Sequence, residues 1–166
     1  EADDSFILIP GLDYIGKNLK LNIYEIHGLL RPRYDFFGPW DEVAQFKPQF
    51  IYTSVCEPRW YLLSRNVWTW QNIQQFCVKH DLACQNFEAD HAIVYIYAWL
   101  LFKLLRKKNI FTAGPARCVD EFSKKLRTLT YLNFATGKIN ISQWRPHSQK
   151  NGVVPGFISS VDPYTD

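Results

Sequence analysis

The chain has 166 residues, of which 21% are charged, and a formal net charge of +3 with its histidines neutral. That length suits one domain able to bury a core without cross-links, and so small a charge excludes a whole-surface electrostatic commitment to nucleic acid or to an anionic membrane. Any basic surface is local.

Ser5 to Pro10 (SFILIP) predicts a buried strand stopped by Pro10-Gly11. Lys17 to His27 alternates Leu19, Leu21 and Ile23 against Lys20, Asn22 and Tyr24, the pattern of a half-buried strand. Gly28 to Pro39 is rich in proline, glycine and charge and reads as an irregular connection. Pro39-Trp40-Asp41-Glu42 then starts a turn or two of helix reaching Phe46, ended by Lys47-Pro48. Gln49 to Val55 and Arg59 to Leu63 have the β-branched and aromatic content of strands, so the first third is expected to be mostly sheet.

At Val67 the period changes. Thr69 can cap a helix in which Trp70, Ile73, Phe76 and Cys77 share one face and Gln71, Gln74, Gln75 and Lys79 lie outside. His80 to Asn86 is polar and ends it. From Phe87 to Lys108 comes the stretch around which the rest is organised: every residue from Ala92 to Phe102 is apolar or aromatic. Glu88 and Asp90 precede that run and Lys103, Arg106, Lys107 and Lys108 follow it, matching the two poles of a helix dipole, with Asn109 as the stop. A buried strand is the rival, favoured by Ile93 to Tyr97, but the run far exceeds the usual strand of about 5–6 residues. A membrane span needs roughly 20 apolar residues, and Lys103 interrupts too early. A central core helix is expected.

Pro115 suits the first position of a third helix, with Val119, Phe122, Leu126 and Leu129 on its apolar face and Lys124, Lys125, Arg127 and Thr128 opposite. Thr130 to Ala135 and Lys138 to Trp144 predict a hairpin placing Leu132 and Phe134 with Ile139 and Ile141, and the Thr136-Gly137 connection is either tight or longer. From about residue 145 no periodicity remains, as in an irregular tail. The expected fold is therefore α+β in a single domain over residues 1–166. It comprises a small, mostly antiparallel sheet from the N-terminal third, a three-helix C-terminal half around a buried central helix, and a C-terminal β-hairpin.

Four residues, Cys77, His80, Cys84 and His91, offer two sulfurs and two imidazoles to a tetrahedral zinc ion, although their spacing departs from the common fingers. Glu88, Asp90 and His91 place carboxylates beside an imidazole, a pairing able to do acid/base work and equally wanted by a helix N-terminus. Cys56 and Cys118 lack a nucleophile motif and read as packing residues. There is no glycine-rich phosphate loop and no GxSxG, HExxH or CxxC pattern, so catalysis is the minor reading and no cofactor is expected. The Asn140-Ile141-Ser142 sequon is read as a chance match. Four cysteines do not define a disulfide framework, and no secretory signal is visible, so free thiols and an intracellular location are expected.

The basic residues Arg106, Lys107 and Lys108 at the end of one expected helix and Lys124, Lys125 and Arg127 on the next, with Lys103 and Arg117 nearby, would form a positive patch if brought together. Three helices followed by a hairpin, from Val67 to Trp144, resemble in order the elements of winged-helix domains, which implies nucleic-acid binding; the middle helix and the 109–114 connection are longer than that pattern has. Aromatic residues make up 16% of the chain, six of them Trp, which fits either a bulky core or a buried contact with a partner. The leading expectation is a non-catalytic interaction module, or a subunit of a larger assembly, that meets a protein partner through aromatic surface. A nucleic-acid-binding domain and a metal-dependent enzyme follow in that order.

Overall fold

The computed structural model describes residues 6–15, 19–81, 90–111, 115–124, 128–134, 136–144 and 153–157, with the backbone alone for 15, 66–73, 80, 115–117, 128–129, 131, 144 and 153–157. The fold is α+β. Its elements in order are β1 (Phe6–Pro10), β2 (Tyr14–Ile15), β3 (Leu19–Lys20), α1 (Ile23–Leu30), α2 (Asp41–Phe46), α3 (Phe50–Thr53), β4 (Trp60–Thr69), α4 (Trp70–His80), α5 (Ala92–Arg106), β5 (Pro115–Ser123), β6 (Thr128–Asn133), β7 (Asn140–Trp144) and β8 (Val153–Phe157).

Helix α5 is the axis of the molecule. All nine residues from Ala92 to Leu100 are buried, so the helix has no solvent face over that length. At about 1.5–3 kcal/mol per fully buried large side chain, Ile93, Ile96 and Trp99 alone make this segment a major source of stability. Rings continue outward from it. Trp99 packs edge-on against Phe36 (centroids 5.6 Å apart) and stacks with Phe134 (6.1 Å), which meets Phe111 (4.9 Å).

There are two three-stranded antiparallel sheets, ordered β1-β4-β8 and β5-β6-β7, and a short β2-β3 pair in neither; α5 packs against β5 and β6 of the second. In the first sheet Ile9, Tyr61 and Leu63 turn inward while Leu8 and Trp60 face out, as alternate positions of paired strands must. Gly11 follows β1 because no side chain fits there: a Cβ would stand 2.0 Å from the Glu57 carbonyl oxygen. The hairpin β6-β7 pairs Leu132 with Ile141 and Asn133 with Asn140, and Leu132, Phe134, Ile139 and Ile141 are all buried on its inner face. Its connection is the longer of the two expected forms, with Gly137 at φ 74°.

Four expectations are corrected. The strand over Lys17 to His27 shrinks to Leu19–Lys20, and α1 starts at Ile23, where the Asn22 side chain accepts the Glu25 N–H at 2.9 Å. Gln49 to Val55 holds the short helix α3, whose Tyr52 carbonyl accepts from Asn22 Nδ2 at 3.0 Å. Pro115–Ser123 is a strand, so among the described residues the expected three-helix C-terminal half has two helices, α4 and α5, and the helix order of a winged helix is not found. Within the tail, Val153–Phe157 pairs antiparallel with β4. The expected helix start at Phe87 lies outside the described residues, and α5 itself begins at Ala92, after His91 in extended backbone.

Candidate functional site

The first candidate is an aromatic cleft between α1 and α2. The connection from Arg31 to Trp40 crosses the hairpin end. Ile139 donates to the Phe36 carbonyl at 2.7 Å, and Gly38 donates to the Ile139 carbonyl at 2.9 Å. Gly38 permits that approach, since a Cβ would fall 1.8 Å from Asn140 Oδ1. Asp35 and Lys138 form an ion pair across the same junction. Thus anchored, the loop presents Phe37 and Trp40 to α1, where His27 stacks on the Trp40 indole (centroids 4.2 Å apart, planes 12° from parallel) and meets Phe37 edge-on at 5.0 Å.

These rings form one wall of a cleft of about 510 Å³, completed by Arg31, Tyr34, Asp35, Gly38 and Asp41. Tyr34 stacks on Phe36 at 4.8 Å and is 43% exposed, so the aromatic path that starts at Trp99 reaches solvent here. Burial, and then the Arg31 guanidinium, lower the His27 pKa. His27 is therefore neutral at pH 7 and offers a ring nitrogen for hydrogen bonding without charge. The cleft mixes apolar walls with a few polar groups, the usual composition of a binding site.

The second candidate lies at the N-terminal end of α5. Asp120, on β5, has a side chain only 2% exposed and accepts three hydrogen bonds. They come from Ala92 N–H at 2.5 Å, from His91 Nδ1 at 2.8 Å and from Ser54 Oγ at 3.4 Å. A carboxylate only accepts, so the His91 proton sits on Nδ1. His91 occupies the N-cap position but makes no side-chain cap, and Asp120 supplies the missing acceptor from a distant strand. A break in the β5-β6 ladder between Arg117 and Glu121 frees this part of the strand, and Val119 N–H bonds to the Asp90 carbonyl at 3.2 Å.

Hydrogen bonding to Asp120 is the main reason that the His91 pKa is raised. Asp90 beside it accepts the His91 backbone N–H at 2.8 Å, and burial raises its carboxyl pKa. A buried carboxylate orienting a 53% exposed imidazole can in principle serve proton transfer. The Cys56 thiol, which feels the Asp90 charge, is quiet, for burial pushes it up to about 12 and keeps it protonated. The same geometry acts as a clip that fastens the start of α5 and, through Ser54, the end of α3 to β5.

Of the site residues read from the sequence, Asp90 and His91 belong to the second candidate. Cys77 is a buried thiol on α4, His80 is described by its backbone, Cys84 and Glu88 lie outside the described residues, and His91 is committed to Asp120. Among the described residues no group of three or more His, Cys, Asp or Glu could hold a metal ion. Arg106, Lys107 and Lys108 are exposed at the end of α5, and Lys124 is exposed after β5; Lys125 and Arg127 lie outside the described residues. Sequence reasoning missed Asp120 and the cleft. The run Asp35-Phe36-Phe37-Gly38-Pro39-Trp40, aromatic yet set in a proline- and glycine-rich connection, was the available signal for the cleft. Asp120 had none. No family model, curated protein or solved structure matches the chain, so its function must be read from these residues themselves.

Proposed function

We propose that the chain is a non-catalytic interaction module that binds a protein partner at the cleft between α1 and α2. The observation that carries this reading is the cleft of about 510 Å³, walled by His27, Phe37 and Trp40 in mutual contact and opened to solvent at Tyr34. Rings held by one another lose little freedom when a ligand arrives, which favours binding. The volume suits one or two anchoring side chains of a partner segment, with Arg31 and Asp41 available for polar contacts at its margin.

The test is a peptide array probed with the folded protein and with Tyr34→Ala and Trp40→Ala. Loss of about tenfold or more in affinity is expected from each substitution, the scale of an aromatic anchor. Tyr34 is exposed, so its variant keeps the fold where Trp40→Ala weakens it. Peptides that bind both variants as well as the parent would remove the cleft from consideration.

A further inference from the structure

The C-terminal end of α5 forms a rigid, exposed knuckle. Ile110 is fully buried just beyond it and Leu100 is buried just before it, while all six residues from Leu104 to Asn109 are exposed. Lys103 Nζ donates to Asn109 Oδ1 at 3.0 Å across its base and lies 5.6 Å from the Trp99 ring. Lys107 closes the helix in the left-handed conformation, at φ 54°. The knuckle is thus held in shape from both sides.

Its chemistry is uniform in charge. From His91 to Val119 the sequence contains no Asp or Glu, while Lys103, Arg106, Lys107, Lys108 and Arg117 fall within that span. Compensation of the helix dipole accounts for cations at this end. It does not account for Leu105, which is 74% exposed in the midst of them, or for Leu104 at 41%. Apolar side chains projecting among cations fit a surface with phosphate at its edge and hydrocarbon beneath it. Phosphate contacts alone, as on a nucleic-acid backbone, would leave both leucines without a use.

We infer that this knuckle docks on an anionic lipid surface, with Leu104 and Leu105 entering the headgroup boundary and Arg106, Lys107 and Lys108 contacting lipid phosphates and carboxylates. The contact is peripheral, since no helix among the described residues is long and apolar enough to cross a membrane. It does not involve the α1-α2 cleft and stands whether or not that cleft binds a partner.

The experiment is co-sedimentation with vesicles of phosphatidylcholine alone and of phosphatidylcholine with phosphatidylserine, at low and physiological salt. It is run beside binding of a labelled DNA duplex and of a single strand. The expected result is salt-sensitive binding to the serine-containing vesicles alone. It should fall about tenfold or more in the Arg106→Gln, Lys107→Gln, Lys108→Gln triple variant and several-fold in Leu104→Ser, Leu105→Ser. Circular dichroism would verify that both variants remain folded, as substitutions at exposed positions should. Three results would overturn the inference: no binding to anionic vesicles by the folded parent, vesicle binding indifferent to the leucine substitutions, or tighter binding to either oligonucleotide that the triple variant abolishes. The last would return the patch to nucleic acid.

Discussion

At its N-terminal end α5 enters the core at once, with Ala92 through Leu100 buried and the first N–H capped by Asp120, whereas its last turn leaves Leu104 and Leu105 in solvent among cations. One helix therefore has a closed half that holds the fold together and an open half free to meet something else. The difference is not one of hydrophobicity, for leucine occurs in both halves. It follows from what packs around each: β5, β6, Phe36 and Phe134 surround the first part, and nothing equivalent among the described residues covers the knuckle. Burial at one end stabilises the fold, and exposure at the other leaves the surface that we propose meets a lipid.

The largest effect expected from this contrast is within the helix itself. Ile96→Ala, in the closed half, should cost about 2–5 kcal/mol in a urea titration, and Leu105→Ala in the open half less than about 0.5 kcal/mol. Equal costs would erase the distinction. Next, Asp120→Ala should cost about 1–3 kcal/mol, because it leaves the buried Ala92 N–H without its acceptor. Asp120→Asn, which keeps an acceptor, should cost visibly less in the same titration.

Lys107→Gly should add about 0.5–1 kcal/mol, since a left-handed residue at a helix end is strained unless it is glycine. A stable protein with unchanged vesicle binding would also show that one of the three cations is dispensable. The smallest effect is on pH dependence, and its sign differs between the two histidines. His91 has a raised pKa, so its contribution is fully present below the ordinary histidine value of about 6.5 and is lost as pH rises through the raised one. His27 has a lowered pKa, so its contribution is present above that ordinary value and is lost as pH falls through the lowered one. Stability of His91→Gln measured from pH 5 to pH 9 should therefore lack the alkaline decline of the parent. Loss of an acid-side decline instead would mean that the Asp120 contact does not hold His91 protonated.

Much of the fold was legible because local pattern mirrored burial. The run from Ala92 to Phe102 is too long for a strand and too short for a membrane span, which leaves a core helix. In the hairpin Leu132, Phe134, Ile139 and Ile141 alternate as they are buried. On β5 the pattern misled for a specific reason. Cys118, Asp120 and Phe122 point inward while Val119 and Glu121 are exposed, a strand alternation hidden by a carboxylate at an inner position and a valine at an outer one. The three- and four-residue spacing of Val119, Phe122, Leu126 and Leu129 then resembled a helix. Asp120 was thus both the residue overlooked and the cause of the misreading.

By itself the sequence determined the central helix, its amphipathic neighbour α4, the first strand and the C-terminal hairpin, since each writes its environment into the period of its own side chains. Tertiary structure alone decided that Asp120 is an inward residue, that Asn22 Nδ2 reaches the Tyr52 carbonyl, and that His27 stacks on Trp40 to wall a cleft. Such polar and ring contacts join residues distant in the chain. Their free energy comes from partners that no local window contains.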